Sequence, residues 1–216
     1  MSKQVDFNGI APFYDWLSKI IFGKQLLRAS ECFINQLPET GNVLYIGGGS
    51  GILLNNILED KPKITIDFVE KSEKFIAIAK QNLHLKYLNQ VNFVHGTEND
   101  LPLKSAYQAI ITFFIIDLFS EQKAANFCKK IDVHLLTNGI WLLTDFVATN
   151  NIFTQWLLKL MYFFFKLVAN VQVKKLPNYD LFFEQFQYTK LHSKFFYFEM
   201  ISAFIFVKSH SLDKKA

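Results

Sequence analysis

Cysteine is nearly absent from this 216-residue chain: Cys32 and Cys128 are the only two, and they form no CxxC or Cys/His spacing. That excludes a disulfide-held scaffold and a structural zinc site, and it fits a reducing compartment. His84, His95, His134, His192 and His210 are dispersed, without the spacing of a metal site, so no metal is expected. The first residues, MSKQVDFNGIAPFYD, lack the apolar core of a signal peptide, and the expected location is the cytoplasm. Basic stripes interleaved with aromatics are missing too. The formal net charge is +4 and the lysines are scattered, which argues against a nucleic-acid groove. No internal repeat or low-complexity linker divides the chain, so a single domain over 1–216 is expected.

No uninterrupted apolar run reaches the roughly 18 residues of a membrane span. The nearest approach is IFTQWLLKLMYFFFKLVANVQV, residues 152–173, which Lys159 and Lys166 interrupt. On a helical projection Gln155, Lys159, Lys166 and Asn170 form one narrow stripe with Tyr162 between them. Three readings stay open: a mostly buried helix, a cover over an apolar ligand, or a peripheral helix on a membrane surface.

What is present is a hydrophobic half of the composition, arranged in alternation. Helical patterns over 10–22 and 24–36 precede strand 43–46, helix 51–59, strand 64–69, helix 72–83 and strand 91–94. Strand 109–115, helix 121–135 and strand 139–146 follow. The pattern predicts an α/β chain with a Rossmann-like doubly wound sheet. Unbroken runs such as AIITFFII suit strands covered on both faces. The stretches FEQFQYTKLH and FFYFEMISAFIFVK read as a closing antiparallel pair, with His192 in the turn between them. The sheet is therefore expected to be mostly parallel with an antiparallel last strand. N-terminal helices form a lid over 1–38, and a helical insertion occupies 150–180 before the final hairpin.

The stretch NVLYIGGGSGILLNNIL, residues 42–58, carries the functional signal. Strand formers run into Gly47-Gly48-Gly49-Ser50-Gly51, and helical spacing resumes directly after them. Such a loop lets backbone approach a ligand at the C-terminal edge of a parallel sheet. The spacing is GxGxG, and Ile52 stands where a dinucleotide fingerprint has its third glycine, which disfavours an NAD or FAD enzyme. Glu70 closes the second strand nineteen residues after Gly51, where a carboxylate can accept hydrogen bonds from both hydroxyls of a ribose.

With these residues in place, the chain resembles the class I S-adenosylmethionine-dependent methyltransferases, nearest to the ubiquinone/menaquinone biosynthesis type and related phospholipid and small-molecule enzymes. IAPFYDWLSKIIFGKQLLRAS is similar to the N-terminal helices of that group, and VLYIGGGSG to its first motif. VEKSEKFIAIAK, GTENDLPL, YQAIITFFIIDLF, NGIWLLTDF and the closing FFYFEMISAFIFVK resemble its later blocks. The resemblance implies S-adenosyl-L-methionine as cofactor, contacted by Tyr14, Tyr45, Gly47, Gly48, Gly49, Gly51, Glu70, Lys71, Thr97, Glu98 and Asp117.

Three usual acids of that group are replaced. Tyr45 stands for the acid of the first motif, Thr97 for the Asp facing the adenine amino group, and Gln108 for the Asp opening the fourth strand. Neutral contacts in their place, charge supplied by Asp15, Glu98 or Asp117, and loss of methyl transfer altogether are the three explanations.

Methyl transfer from a sulfonium mainly requires alignment and exclusion of water. Tyr14, Asp117 and Asp145 are the catalytic candidates, each placed at a strand end or on the N-terminal lid. The expected acceptor is a small, hydrophobic, lipid-like molecule against Trp156, Leu160, Phe163, Phe164 and Phe165. A non-catalytic protein of the same fold, binding a nucleoside-like ligand or a protein partner, is the alternative.

Overall fold

A computed structural model of the chain describes residues 22–101, 106–149, 151–152, 154–159 and 176–208. The proposed lid over 1–38 is therefore seen only from residue 22. Most of the apolar segment 152–173, and Tyr14 and Asp15 with it, lies outside the described residues.

Seven strands form one sheet in the order β3-β2-β1-β4-β5-β7-β6. They are β1 (Gly41–Ile46), β2 (Ile64–Glu70), β3 (Val91–His95), β4 (Tyr107–Phe113), β5 (Leu135–Phe146), β6 (Tyr188–Phe196) and β7 (Ile201–Lys208). Pairing is parallel from β3 across to β5, whereas β7 runs antiparallel to both β5 and β6. The helices are α1 (Gln25–Glu31), α2 (Leu54–Asp60), α3 (Glu73–Asn82), α4 (Glu121–Asp132) and α5 (Tyr179–Gln185).

Period-two alternation along β1 builds two cores from one strand. Leu44 and Ile46 join the face covered by Ala124, Phe127, Cys128 and Ile131 of α4 and by Phe182 and Phe183 of α5. Val43 and Tyr45 join the opposite face, covered by Leu54, Ile57 and Leu58 of α2 and Ala79 of α3. A third cluster sits at the end of β5, where Phe22 and Ala29 meet Phe146, Leu157, Leu158, Met200 and Ile201. Only part of the apolar segment is thus seen to be buried. Leu157 and Leu158 pack inward, while Trp156 is 60% exposed. Among the described residues no helix is long and apolar enough to cross a membrane.

Two expectations for the C-terminal region are corrected. FEQ, read as the start of a strand, belongs to α5: the Asn178 side chain accepts from the backbone N–H of Leu181, and Tyr179, Phe182 and Phe183 bury one helical face. His192 is not in the hairpin turn but inside β6, opposite Ile205. Ser193 and Lys194 pair with Phe204 and Ala203, so the strand continues to Phe196. The chain reverses instead over 197–200, with Tyr197, Phe198 and Glu199 at φ of 46°, 54° and 62°. Strand β6 is an edge, with residues 189–195 exposed, and its register with β7 shifts between Lys190 and His192.

Candidate cofactor site

β1 lies between β2 and β4, so the chain leaves it toward one side and returns on the other, opening a crevice beyond the strand ends. The glycine loop fills this switch point. Its Gly47 N–H bonds to the Val69 carbonyl at 2.8 Å, and the Gly51 N–H to the Gly48 carbonyl at 3.1 Å.

Each glycine in the loop answers a different demand. A Cβ on Gly47, at φ +70°, would lie 2.3 Å from Ile115 Cδ1, and one on Gly48 would lie 2.2 Å from Phe68 Cε2. A Cβ on Gly51 would meet Ala79 Cβ at 2.7 Å, so this glycine lets α2 and α3 approach closely. Gly49, at φ +57°, differs: a Cβ there meets nothing within 4 Å. Among the described residues, protein fills the space against three glycines and leaves open the space against the fourth.

Glu70 is bound into that loop. Its Oε2 accepts from the Gly49 N–H at 3.0 Å and its Oε1 from the Ser72 N–H at 2.8 Å. Ser72 in turn caps α3 by accepting from the Phe75 N–H. A carboxylate has about four lone-pair sites, so both oxygens keep acceptor capacity toward the crevice. An open glycine backbone beside a half-buried carboxylate is a cradle that fits a ribose-bearing cofactor.

Tyr45, near the end of β1, is packed as a hydrophobic residue. It is 3% exposed and its ring meets Phe68 and Phe113 edge-on, with centroids 5.3 and 5.8 Å away. Burial and then the Glu70 charge push its phenol well above the ordinary range, so it stays protonated. Gln108 is elsewhere. It sits near the start of β4, where its Oε1 accepts from the Asn42 N–H at 2.6 Å, at the opposite end of the sheet from the loop. Its amide therefore serves the strand start and not the loop.

The β3 end holds Thr97, whose N–H and hydroxyl both bond to Asp100 Oδ2, at 2.8 and 3.2 Å. Asp100 thus sets a carboxylate directly beside Thr97. Sequence reasoning passed it over, although Thr and Asp three apart are a common turn pairing. Glu98 is engaged by Lys130 at 3.3 Å, and the Lys71 carbonyl by His95 Nε2 at 3.0 Å.

Asp117 and Asp145 come together at the ends of β4 and β5. Asp145 Oδ2 accepts from the N–H groups of Ile116 and Asp117, both at 3.1 Å, and its Oδ1 from the Phe146 N–H at 3.0 Å. Both residues are buried. Burial raises the Asp145 pKa well above the carboxylate range, with further upward pushes from the Asp117 charge and from a side-chain hydrogen bond to Asp117; backbone donors oppose this. Asp145 is therefore held toward its protonated form, and its backbone contacts tie down the turn 115–118.

This proton makes a pH prediction. A folded pKa above the unfolded value contributes stability in full below the unfolded pKa of about 3.9, and that contribution is lost as pH rises through the folded value. Thermal melts should thus decline with pH above the acid range. Asp145→Asn should flatten that slope, since the amide holds its protons throughout; an unchanged slope would assign the dependence to other groups.

Comparison with known proteins gives a consistent picture. A family model described as a methyltransferase domain matches residues 43–139. Magnesium protoporphyrin IX methyltransferase from Synechocystis PCC 6803, solved with bound SAH, is 16% identical with a TM-score of 0.68, over 94% of this chain and 96% of that one. A putative methyltransferase solved in a complex with the Haloferax volcanii Trm112 methyltransferase activator gives a TM-score of 0.73 at 12% identity, over 97% and 100%. The plantazolicin methyltransferase BpumL, solved with a pentazolic desmethylPZN analog and SAH, gives 0.68 at 12% identity, over 94% and 92%. No curated protein matches the sequence.

Proposed function

We propose that this chain, whose residues 43–139 match a methyltransferase-domain model, binds S-adenosyl-L-methionine at the glycine loop and transfers its methyl group to a small hydrophobic acceptor in the cytoplasm. One observation carries this reading: Glu70 is hydrogen-bonded to the N–H of Gly49, the glycine whose Cβ space is open. Together they offer a charged acceptor for ribose hydroxyls and a bare backbone for close approach.

The chain's own residues divide the remaining work. Gly47, Gly48 and Gly51 shape the loop by packing against protein, and Gly49 forms its ligand face. Lys71 follows the ribose acid directly. Thr97, backed by Asp100, offers a polar rather than an ionic contact to a base, and Glu98 lies beside it. Tyr45 closes the floor with an aromatic edge and a protonated hydroxyl. When bound, the cofactor supplies a methyl group on a sulfonium with a neutral leaving group, so the protein needs chiefly to align the acceptor.

Asp117 and Asp145 support this as positioning residues. They fix the 115–118 turn, which covers Gly47 through Ile115. Tyr14 remains a candidate over the cofactor.

A second reading, a non-catalytic protein of this fold that binds a nucleoside-like ligand or a protein partner, is favoured by the buried aromatic setting of Tyr45. Two measurements separate them. Calorimetry with S-adenosylmethionine and S-adenosylhomocysteine should give heat of binding, and silence at millimolar ligand ends both cofactor readings. Transfer of labelled methyl groups into cell-extract fractions, lost in Glu70→Ala, selects the enzyme; binding without transfer selects the alternative.

A further inference from the structure

The turn between β6 and β7 breaks a local rule. Three consecutive residues with side chains, Tyr197, Phe198 and Glu199, hold left-handed backbone. L-residues avoid that region, and such runs persist only where the surroundings enforce them.

Both ends of the turn are clamped. The Tyr197 ring meets Phe22 edge-on at 5.2 Å, and its carbonyl accepts from the Met200 N–H at 3.1 Å. Met200 is fully buried, and its carbonyl accepts from the Val147 N–H at 3.0 Å. The middle is not buried: Phe198 is 66% exposed, and Glu199 is exposed as well. The clamp thus presents these two side chains instead of packing them.

They are presented to a cavity. Among the described residues, Phe198 and Glu199 line a space of about 360 Å³ together with Ala148, Thr149 and Asn151. That size lies within the roughly 300–1,000 Å³ of small-molecule sites. Its position is set by the register: Phe146 pairs with Ile201, so the cavity follows the C-terminal end of β5. This is the edge of the sheet on which the glycine loop also lies.

The polar groups of the cavity are unequal. The Thr149 hydroxyl accepts from the Asn151 N–H at 3.2 Å, and Asn151 Oδ1 from the Thr154 N–H at 3.4 Å, so both serve the start of the 154–159 segment. Glu199 forms no ion pair among the described residues. A carboxylate and an exposed aromatic ring lining one cavity attract a cation by charge and by the ring quadrupole together.

We propose that this cavity is the acceptor subsite, and that Phe198 and Glu199 select acceptors with a flat apolar body bearing a positively charged amine. The proposal rests on the methyltransferase reading and adds the acceptor's charge to it.

The test uses the full chain saturated with S-adenosylhomocysteine and two probes of similar size, phenethylamine and phenylacetate, titrated by ligand-observed NMR. Phenethylamine should bind about ten-fold more tightly, a difference of about 1.4 kcal/mol. Glu199→Gln should bring the two probes within about two-fold, and Phe198→Leu should weaken phenethylamine about five-fold, as expected when a ring face is lost. Thermal melts and S-adenosylhomocysteine affinity should stay unchanged in both variants. Equal binding of the two probes to the unsubstituted chain, or a preference that survives Glu199→Gln, overturns the proposal. A chain that discriminates the probes yet gives no heat with S-adenosylhomocysteine upholds the cavity and rejects the cofactor reading; heat without discrimination does the reverse.

Discussion

Glu70→Ala should weaken S-adenosylhomocysteine binding by at least about a hundred-fold in calorimetry. Two ribose hydroxyls donating to a carboxylate are each worth about 1.5–3 kcal/mol, and about 1.4 kcal/mol corresponds to ten-fold in affinity. The same substitution strips the Gly49 and Ser72 N–H groups of their partner, so the loop loses its anchor along with the ligand contact. Glu70→Gln is the informative control. It keeps an oxygen acceptor without the charge, and should fall between the native chain and the alanine variant. An affinity unchanged in Glu70→Ala would remove the cofactor from this crevice.

The glycine loop gives a second large effect, divided between two readouts. Gly47→Ala should lower stability by about 3 kcal/mol in denaturant unfolding: a left-handed backbone costs an L-residue roughly 1–2 kcal/mol and overpacking typically about 1–3, here against Ile115. Gly49→Ala should cost only the backbone part, about 1 kcal/mol, because its Cβ meets no protein. That same Cβ would stand where the ligand approaches the loop backbone, so Gly49→Ala should reduce S-adenosylhomocysteine affinity about ten-fold, or 1.4 kcal/mol. If both variants lose stability alike, the open space at Gly49 has no functional meaning.

Much of this architecture was legible from periodicity. Runs such as VLYI and AIITF are apolar on both faces, which only a sheet covered on both sides requires, and the helices between them show one apolar face each. The loop and Glu70 were legible because glycine and carboxylate must stand at fixed places relative to strand ends. What escaped was decided by tertiary contact. Gln108 matched a motif position, yet motif spacing does not say at which end of a strand a residue faces ligand; its amide serves Asn42. Asp117 and Asp145 were read as separate rim acids, but 28 residues of chain separate two carboxyls that the fold brings together over backbone donors. The hairpin turn was misplaced because Tyr197, Phe198 and Glu199 carry none of the glycine or asparagine that ordinarily announces left-handed backbone.

The irregular outer strand has a consequence of its own. A sheet that ends in an exposed strand offers unpaired backbone to any passing chain, and seven flat strands would be a template for fibre growth. Here the outer strand loses register beside Leu191 and carries Lys190 and Lys194 along the same stretch. A guest strand would have to match an interrupted ladder while bringing its own charges against these lysines. The defect therefore acts as a terminator, keeping a strongly hydrophobic chain from adding copies of itself at that edge as its concentration rises.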